Sequence, residues 1–424
     1  MIEPTCGRGA FVVAATKQWP EACCRGFELN PAHVSAAREV LGSSASVEVG
    51  DFFSLDWPER LSGDGPTLIL GNPPWVTRST LGSLGMGALP RLERLGRVRG
   101  LEALTGKANF DVSEWMCLRL LLAMGPDTQL AMLLKRAVVH RLLPRLPELG
   151  LDAALFDIDA RVHFGAAVDA VLVHIWPGSG REQWATHPSL EGLAEGSVGL
   201  WRGQLVPDVV GAKDTAHFAG EGPRWRSGVK HDCAAVFELQ RDGVRWTAGG
   251  RSVSLEDEVV FPLMKGGDVF HGRPVTRGVV VTQRHPGEAT DTLGQTAPKL
   301  WAWLLANRER LSARRSRIYD HAPEFAMFGI GPYSFAPYKV VISTMHKALR
   351  FRLVEPFEGK PVLFDDTCVF RGFETRAEAA EATEWLEGAQ VQRFLAARIF
   401  LGRKRPVTAG LLGGLMMPPL SSGK

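Results

Sequence analysis

Apolar positions over the first 176 residues alternate between two kinds of segment. Short runs are bounded by turn residues, and longer stretches have helical spacing, the pattern of a parallel α/β sheet. Met1-Ile2 is the stub of a first strand, followed by a glycine turn over Cys6 to Gly9 and a helix from Ala10 to about Gln18. A second strand ends at Phe27-Glu28-Leu29. There Asn30 is placed to cap, and Pro31 to occupy the first turn of, a helix running to about Leu41. Val47-Glu48-Val49 is a short third strand, and Thr67 to Leu70 a fourth that runs into Gly71-Asn72-Pro73-Pro74-Trp75. The Gly- and Arg-rich stretch from Arg78 to Gly106 reads as a long loop. A helix from Ser113 to Ala123, a strand from Gln129 to Leu134, another helix and a final strand from Val168 to Trp176 complete the unit.

After Pro177-Gly178-Ser179-Gly180 the alternation is lost, and seven of the twelve tryptophans follow. The expected division is therefore 1–177 and 178–424, and 424 residues is the length of two or three ordinary domains. A chain 45% hydrophobic and 22% charged is neither disordered, nor a coiled coil, nor a disulfide scaffold. No apolar run approaches the roughly 18 residues of a membrane span, and no charged leader opens the chain, so the expected location is the cytoplasm. Six cysteines without C-x-x-C spacing exclude a zinc ribbon or a disulfide frame, and no metal is expected.

The net charge of +3 is unevenly spread. Residues 1–150 carry 16 Lys and Arg against 15 Asp and Glu, residues 151–300 carry 15 against 19, and residues 301–424 carry 18 against 12. Five arginines lie between Arg308 and Arg317, and Arg403, Lys404 and Arg405 form a second cluster. On charge alone, a phosphate-binding surface and a solvated helix face with a surface loop both remain open.

Four constellations carry chemistry. In Glu3-Pro4-Thr5-Cys6-Gly7-Arg8-Gly9-Ala10-Phe11, two glycines let the backbone approach a ligand at a strand-to-helix turn. Glu28, 19 residues past Gly9, ends the next strand, where a carboxylate can accept both hydroxyl hydrogens of a ribose; a surface Glu before a helix is the plainer alternative. Asp51 with Phe52 and Phe53 offers an acceptor for an adenine amino group beside an aromatic face, or a strand-end turn over two core rings. Asn72-Pro73-Pro74-Trp75 is the sharpest. Two prolines fix the backbone and remove two donors, an amide adds an acceptor and an indole adds a plate, a set suited to a planar ligand bearing an NH2 group.

In this order the motifs resemble the class I S-adenosylmethionine-dependent methyltransferases, specifically the DNA adenine (N6) methyltransferases of the TaqI-like type. The likeness extends into the second half, where Trp225 to Asp232, Pro262 to Gly266, Phe328 to Lys339 and Lys404-Arg405-Pro406 resemble the family's target-recognition modules. It implies a Rossmann-like methyltransferase sheet followed by a mixed α/β target-recognition domain. It also implies S-adenosylmethionine as cofactor, with Glu3, Cys6, Gly7, Gly9 and Phe11 on the methionine side, Glu28 at the ribose, and Asp51 and Phe52 at the adenine. Asn72 and the Pro73 carbonyl would hold the target amino group, with Asn72 also bordering the cofactor, Pro74 completing the catalytic turn, and Trp75 and Phe164 stacking on the base. Arg314, Arg315, Arg317, Lys339, Arg403, Lys404 and Arg405 would meet double-stranded DNA. The five arginines of 308–317 are expected to contact phosphates rather than bases, because arginines on both sides of one helix cannot all face a groove. The family further implies a monomer with a separate restriction endonuclease as partner.

The family normally carries a helical, cofactor-contacting segment before the first strand, whereas Met1 falls inside that strand. An upstream in-frame coding stretch is therefore expected, and a stop codon directly before Met1 would contradict it. Two other classes compete: a methyltransferase acting on RNA adenine or protein glutamine, and a non-catalytic DNA-binding relic. A fused nuclease would rest on Glu358-Gly359-Lys360 alone, and His231 beside Asp232 reads as a hydrogen-bonded structural residue.

Overall fold

The computed structural model describes residues 1–63, 65–76, 111–243 and 245–420; the loop expected over 78–106 lies outside them. The first unit, Met1–Val209, is built on one ten-stranded sheet. Its strands are β1 (Ile2–Glu3), β2 (Arg25–Glu28), β3 (Ser46–Val49), β4 (Thr67–Gly71), β5 (Thr128–Lys135), β6 (Leu151–Ile158), β7 (Ala170–Pro177), β8 (Gln183–His187), β9 (Gly196–Trp201) and β10 (Gln204–Val206). They lie in the order β10-β9-β8-β6-β7-β5-β4-β1-β2-β3. From β3 to β5 neighbouring strands are parallel; β7 runs antiparallel to both β5 and β6.

Local chemistry explains the helices between these strands: α1 (Ala10–Gln18), α2 (Pro31–Leu41), α3 (Trp57–Leu61), α4 (Val112–Ala123), α5 (Arg136–Leu142) and α6 (Ala160–Phe164). At α2 the Asn30 side chain accepts the Ala32 N–H at 2.9 Å and Pro31 occupies the first turn, as the sequence suggests. Its buried Val34, Ala37 and Leu41 pack with Cys6, Val12, Ala15 and Val47. The short α3 was not anticipated; Asp56 caps it, and buried Trp57 donates its indole N–H to the Phe52 carbonyl at 2.9 Å.

The compact unit ends at Val209 rather than at 177, because β8 pairs in parallel with β6 and carries β9 and β10 with it. The second unit, Val210–Lys424, holds two smaller sheets. In chain order its strands are β11 (Arg226–Ser227), β12 (Glu238–Asp242), β13 (Arg245–Ala248), β14 (Arg251–Val253), β15 (Val260–Met264), β16 (Arg277–Val280), β17 (Tyr338–Ser343), β18 (Phe351–Val354), β19 (Leu363–Phe364) and β20 (Cys368–Phe373). The six-stranded sheet is ordered β14-β13-β12-β16-β15-β19 and the four-stranded one β11-β20-β17-β18. Helix α7 (Gly266–His271) follows β15, and α8 (Pro298–Ala306) packs Leu300 and Leu304 among Val236, Phe237 and Val280. Helices α9 (Arg376–Glu387) and α10 (Ala389–Ala396) bury Ala382, Leu386 and Phe394 against Val340 and Ile342 of β17.

One expected DNA contact is corrected here. Lys339 lies in the middle strand pair of the four-stranded sheet with 1% of its surface exposed, and its ammonium donates to the Ala336 carbonyl at 2.7 Å. It cannot reach a phosphate. Burial pulls its pKa from 10.5 down to about 7. The unfolded chain therefore binds a proton that the folded chain refuses between pH 10.5 and about 7, so this residue lowers stability as pH falls through that window and holds the loss constant below it. Replacing Lys339 by Met should stabilise the protein by a few kcal/mol at pH 6, with the gain shrinking toward pH 10. Urea unfolding of both proteins across that range checks the sign.

Candidate ligand crevice at the sheet edge

Strand β1 lies between β2 and β4, all three parallel, with Ile2 opposite both Arg25 and Ile69. Their C-terminal ends therefore emerge on one edge of the sheet, and the strand order reverses between β1 and β4. Such a reversal leaves a crevice at the carboxyl edge, where open α/β sheets bind ligands. The chain leaving β1 is Pro4 to Gly9, the chain leaving β2 begins at Glu28, and the chain leaving β4 is Asn72 to Trp75.

The glycine turn is held by Glu28. Its two carboxylate oxygens accept the N–H groups of Gly7 and of Asn30, each at 2.9 Å, and lone pairs remain for a further donor pair. Gly7 and Gly9 both have left-handed φ, 53° and 81°. Their surroundings differ. A Cβ on Gly9 would lie 3.2 Å from the Ala37 Cβ on α2, whereas nothing lies within 4 Å of one on Gly7. Gly9 is thus needed for helix packing, and Gly7 faces open space beside the Glu28 carboxylate.

Glu3 is 3% exposed, its Oε2 has no hydrogen-bond partner, and burial raises its pKa to about 8 against an opposing hydrogen bond from the Val12 backbone. An orphaned buried carboxyl oxygen at the end of β1 fits a ligand that supplies its hydrogen-bond partner. Cys6 is buried as well; desolvation, with Glu3 and Glu28 nearby, pushes its thiol up to about 12, so it stays protonated. Phe11 is half-buried on α1. Asp51 is exposed and accepts from the Phe53 N–H at 3.0 Å and the Ser54 hydroxyl at 3.1 Å. Phe52 is buried against Trp57, while half-buried Phe53 stacks on Trp115 at 4.5 Å.

On the other wall, Asn72 and Pro74 are exposed and Pro73 is buried; among the described residues no group donates to the Asn72 side chain or the Pro73 carbonyl. Trp75 is half-buried, with its indole N–H donating to the Leu133 carbonyl at 3.3 Å and its ring against Leu133, Ala160 and Ala170. Phe164, 56% exposed, ends α6, the helix to which Ala160 belongs.

Two residues of this wall escaped the sequence reading. The Lys135 ammonium at the end of β5 donates to the Trp75 carbonyl and to Asp111 Oδ2, each at 3.0 Å. Asp111 in turn caps α4 through the Ser113 N–H, and Val112 N–H bonds the Val76 carbonyl at 3.0 Å. A lone Lys closing the apolar run Leu130 to Leu134, with Asp-x-Ser opening a helix, was the available signal.

In the second unit several expected roles change. The arginines of 308–317 do not share a helix: Arg308 to Ser312 form one helical turn, and Arg314 lies beyond it. Arg308 pairs with Glu324. Half-buried Arg314 donates to the carbonyls of Leu311, Ala326, Glu324 and His231, so its guanidinium is committed internally rather than to DNA. Arg315, Arg317, Arg403 and Lys404 are exposed, and Arg405 pairs with Asp366 at 2.8 Å. His231 is structural: its Nδ1 accepts the Cys233 N–H, and its ring stacks on Phe237. Burial alone would raise Glu238, but hydrogen bonds from His231 and Lys265 pull it down to about 2. The Glu358-Gly359-Lys360 tripeptide is a turn, with Glu358 on Arg241 and Lys360 on the Asp257 and Val260 carbonyls. Among the described residues no cluster of three His, Cys, Asp or Glu is placed to hold a metal, and no helix is long and apolar enough to cross a membrane.

A strand-order reversal with a glycine turn and strand-end carboxylate on one side and an acceptor-rich Asn-Pro-Pro-Trp turn on the other defines a Rossmann-like methyltransferase. No protein-family model matches the chain. It is 34% identical over 438 aligned positions to the Type II methyltransferase M.NspV of Nostoc sp. (strain ATCC 29411 / PCC 7524), an alignment covering 99% of this chain and 91% of the relative. A second relative, the Type II methyltransferase M.CvrRI of Paramecium bursaria Chlorella virus XZ-6E, is 36% identical over 80 residues, 19% of each chain. In structure, the chain matches MmeI, described as a Type IIL restriction-modification enzyme in complex with DNA, with a TM-score of 0.62 at 13% identity. That match covers 97% of this chain and 61% of MmeI, and shows a shared fold. The chain belongs to the Type II methyltransferase family. Membership implies S-adenosylmethionine as the cofactor, and the orphaned Glu3 oxygen, the open space at Gly7 and the spare lone pairs of Glu28 fit it.

The two glycines should separate in experiment. Gly9→Ala should cost about 1–3 kcal/mol of stability through strain and the clash with Ala37. Gly7→Ala should cost about 1 kcal/mol, yet weaken S-adenosylmethionine binding at least about tenfold by filling the open space. Denaturant unfolding and titration calorimetry on each variant check the contrast.

Proposed function

We propose that the chain is a site-specific DNA adenine methyltransferase that transfers a methyl group from S-adenosylmethionine to the N6 amino group of an adenine flipped out of the duplex. The observation that carries this reading is the Asn72-Pro73 pair of acceptors, unclaimed among the described residues and delivered by β4 to the same sheet edge as the Glu28-held glycine turn. When bound, the cofactor supplies an electrophilic methyl group. The residues of the chain do the rest. Glu3, Cys6, Gly7, Gly9, Phe11 and Glu28 hold the cofactor from the glycine-turn side, and Asp51 and Phe52 border its adenine.

An adenine amino nitrogen is a poor nucleophile, because its lone pair is delocalised into the ring. Asn72 Oδ1 and the Pro73 carbonyl accept its two hydrogens off the ring plane, which favours a pyramidal nitrogen with an available pair. Trp75, pinned by Leu133 and Lys135, and exposed Phe164 supply apolar surface for the flipped base. Holding the acceptor and donor in line makes the transfer effectively unimolecular, and no covalent intermediate on the protein is required. Extruding the base costs a few kcal/mol, which phosphate contacts from the second unit offset. Arg315, Arg317, Arg403 and Lys404 are exposed and suited to such contacts. In this reading the chain works as a monomer on double-stranded DNA, with a separate restriction endonuclease as its counterpart.

Expression in a methylation-free host followed by modification-sensitive long-read sequencing should reveal N6-methyladenine within one short motif. Asn72→Ala should reduce transfer by about 10²-fold or more while cofactor affinity changes far less. A mark on cytosine, or methyl transfer confined to RNA or protein digests, would overturn the assignment.

A further inference from the structure

We propose that the loop joining β17 to β18, residues 344–350, together with the end of α7, is a contact surface for the phosphodiester backbone of duplex DNA. The inference rests on the DNA-methyltransferase reading and names residues of the second unit that the sequence motifs did not single out.

The loop is built on a stack of side chains. The His346 ring lies on Phe270 of α7 with centroids 3.9 Å apart and planes 8° from parallel, and the Arg350 guanidinium lies 4.8 Å from the same Phe270 centroid. His346 is fixed from below by a 2.7 Å hydrogen bond between its Nδ1 and the Ser343 hydroxyl. Arg352 of β18 donates to the Phe270 carbonyl at 3.2 Å. Helix α7 ends at Gly272 with φ 65°, where a Cβ would come within 3.1 Å of the Arg352 guanidinium. Loop and helix end are thus locked by stacking, a cation over a ring and a close approach that glycine permits.

Several cations of the second unit are already matched by carboxylates. Lys230 pairs with Asp232, Lys265 with Glu238, Arg308 with Glu324 and Arg405 with Asp366. Lys347 and Arg350 are exposed, and among the described residues no carboxylate lies within ion-pair distance of either. Exposed Arg273, two residues past α7, shares Asp268 at 4.0 Å with the closer Arg277 at 2.6 Å. Unmatched cations on a pre-ordered loop suit a polyanion whose charges recur about every 1.7 Å along its axis, and the ordering cost has largely been met before binding. Arginine stacked on an aromatic ring keeps its guanidinium edge for phosphate oxygens.

The test uses the full chain with S-adenosylmethionine and a fluorescently labelled duplex of mixed sequence, with anisotropy read across a salt series. The Lys347→Ala/Arg350→Ala variant should bind about tenfold more weakly at low salt, and the slope of log affinity against log salt should become shallower by about 1–2. Arg251→Ala/Lys299→Ala, which removes the same charge from exposed positions on β14 and α8, should change affinity by less than about threefold. Calorimetric cofactor binding should be unchanged in both variants, the melting temperature of the Arg350 variant should fall by no more than a few degrees, and Arg350→Lys should recover part of the salt slope. Equal losses in the two double variants would overturn the assignment of this loop while leaving the DNA reading intact. A wild-type chain that binds cofactor but no duplex would overturn both. Poly-glutamate of matched charge binding as tightly as the duplex would transfer the surface to an acidic protein and overturn the commitment to DNA.

Discussion

Parallel pairing of β1 with β2 on one side and β4 on the other is the constraint from which the site follows. Two residues, Ile2 and Glu3, make that pairing, and three loops must then leave the same edge of the sheet. Because the strand order reverses there, the loops diverge and a crevice opens. Each wall is held by a charged side chain bonded to backbone. Glu28 gathers the N–H groups of Gly7 and Asn30, and Lys135 takes the Trp75 carbonyl while its charge is met by Asp111. Charge-assisted bonds to main chain fix a loop without fixing which residues the loop presents. The turns can thus be rigid while Asn72 and Gly7 stay turned outward.

Two buried ionisable groups show how the same physics serves different ends. Glu3 and Lys339 are both almost fully removed from water, and both have their charged forms disfavoured, the carboxyl pushed up to about 8 and the ammonium down to about 7. Lys339 spends its proton on the Ala336 carbonyl inside the sheet and leads nowhere. Glu3, at the C-terminal end of β1, keeps one oxygen without a partner among the described residues. Burial with the hydrogen bond completed is structural economy; burial with it left open marks a place where something outside the chain completes it.

The parallel half of the sheet was legible because each strand there is apolar and is closed by a residue with a distinct local preference. Asn30 and Pro31 declare a helix start, Gly7 and Gly9 a turn, and Asn72-Pro73-Pro74 an interruption, all through backbone effects that act over a few residues. Strand β6 was passed over, although Pro144, Pro147 and left-handed Gly150 mark the break that precedes Leu151. Strands β8 to β10 were given to the wrong side of the boundary. The alternation of strand and helix had already stopped at Pro177, and only their pairing with β6 returns them to the first sheet. Lys135 was missed because its role depends on where β5 ends relative to Trp75, 60 residues earlier in the chain.

Charge was the least legible property. The last third of the chain carries six more basic than acidic residues, yet that excess does not lie on the surface as a block. Arg314 is spent on four carbonyls, Lys339 is inside a sheet, and Arg308 and Arg405 are matched by carboxylates. A cation already paired gains little from a phosphate, because the new bond must first break the old one. What a polyanion senses is the remainder: positions where a basic side chain is exposed, unmatched and held in place. By that criterion Arg308, Arg314 and Arg405 of the sequence clusters lose weight while Arg315, Arg317 and Lys404 keep theirs, and the thinly charged stretch Met345-His346-Lys347-Ala348-Leu349-Arg350 gains it. Lys347 and Arg350 are exposed with no carboxylate partner among the described residues, and Arg350 lies over the Phe270 ring on which His346 stacks.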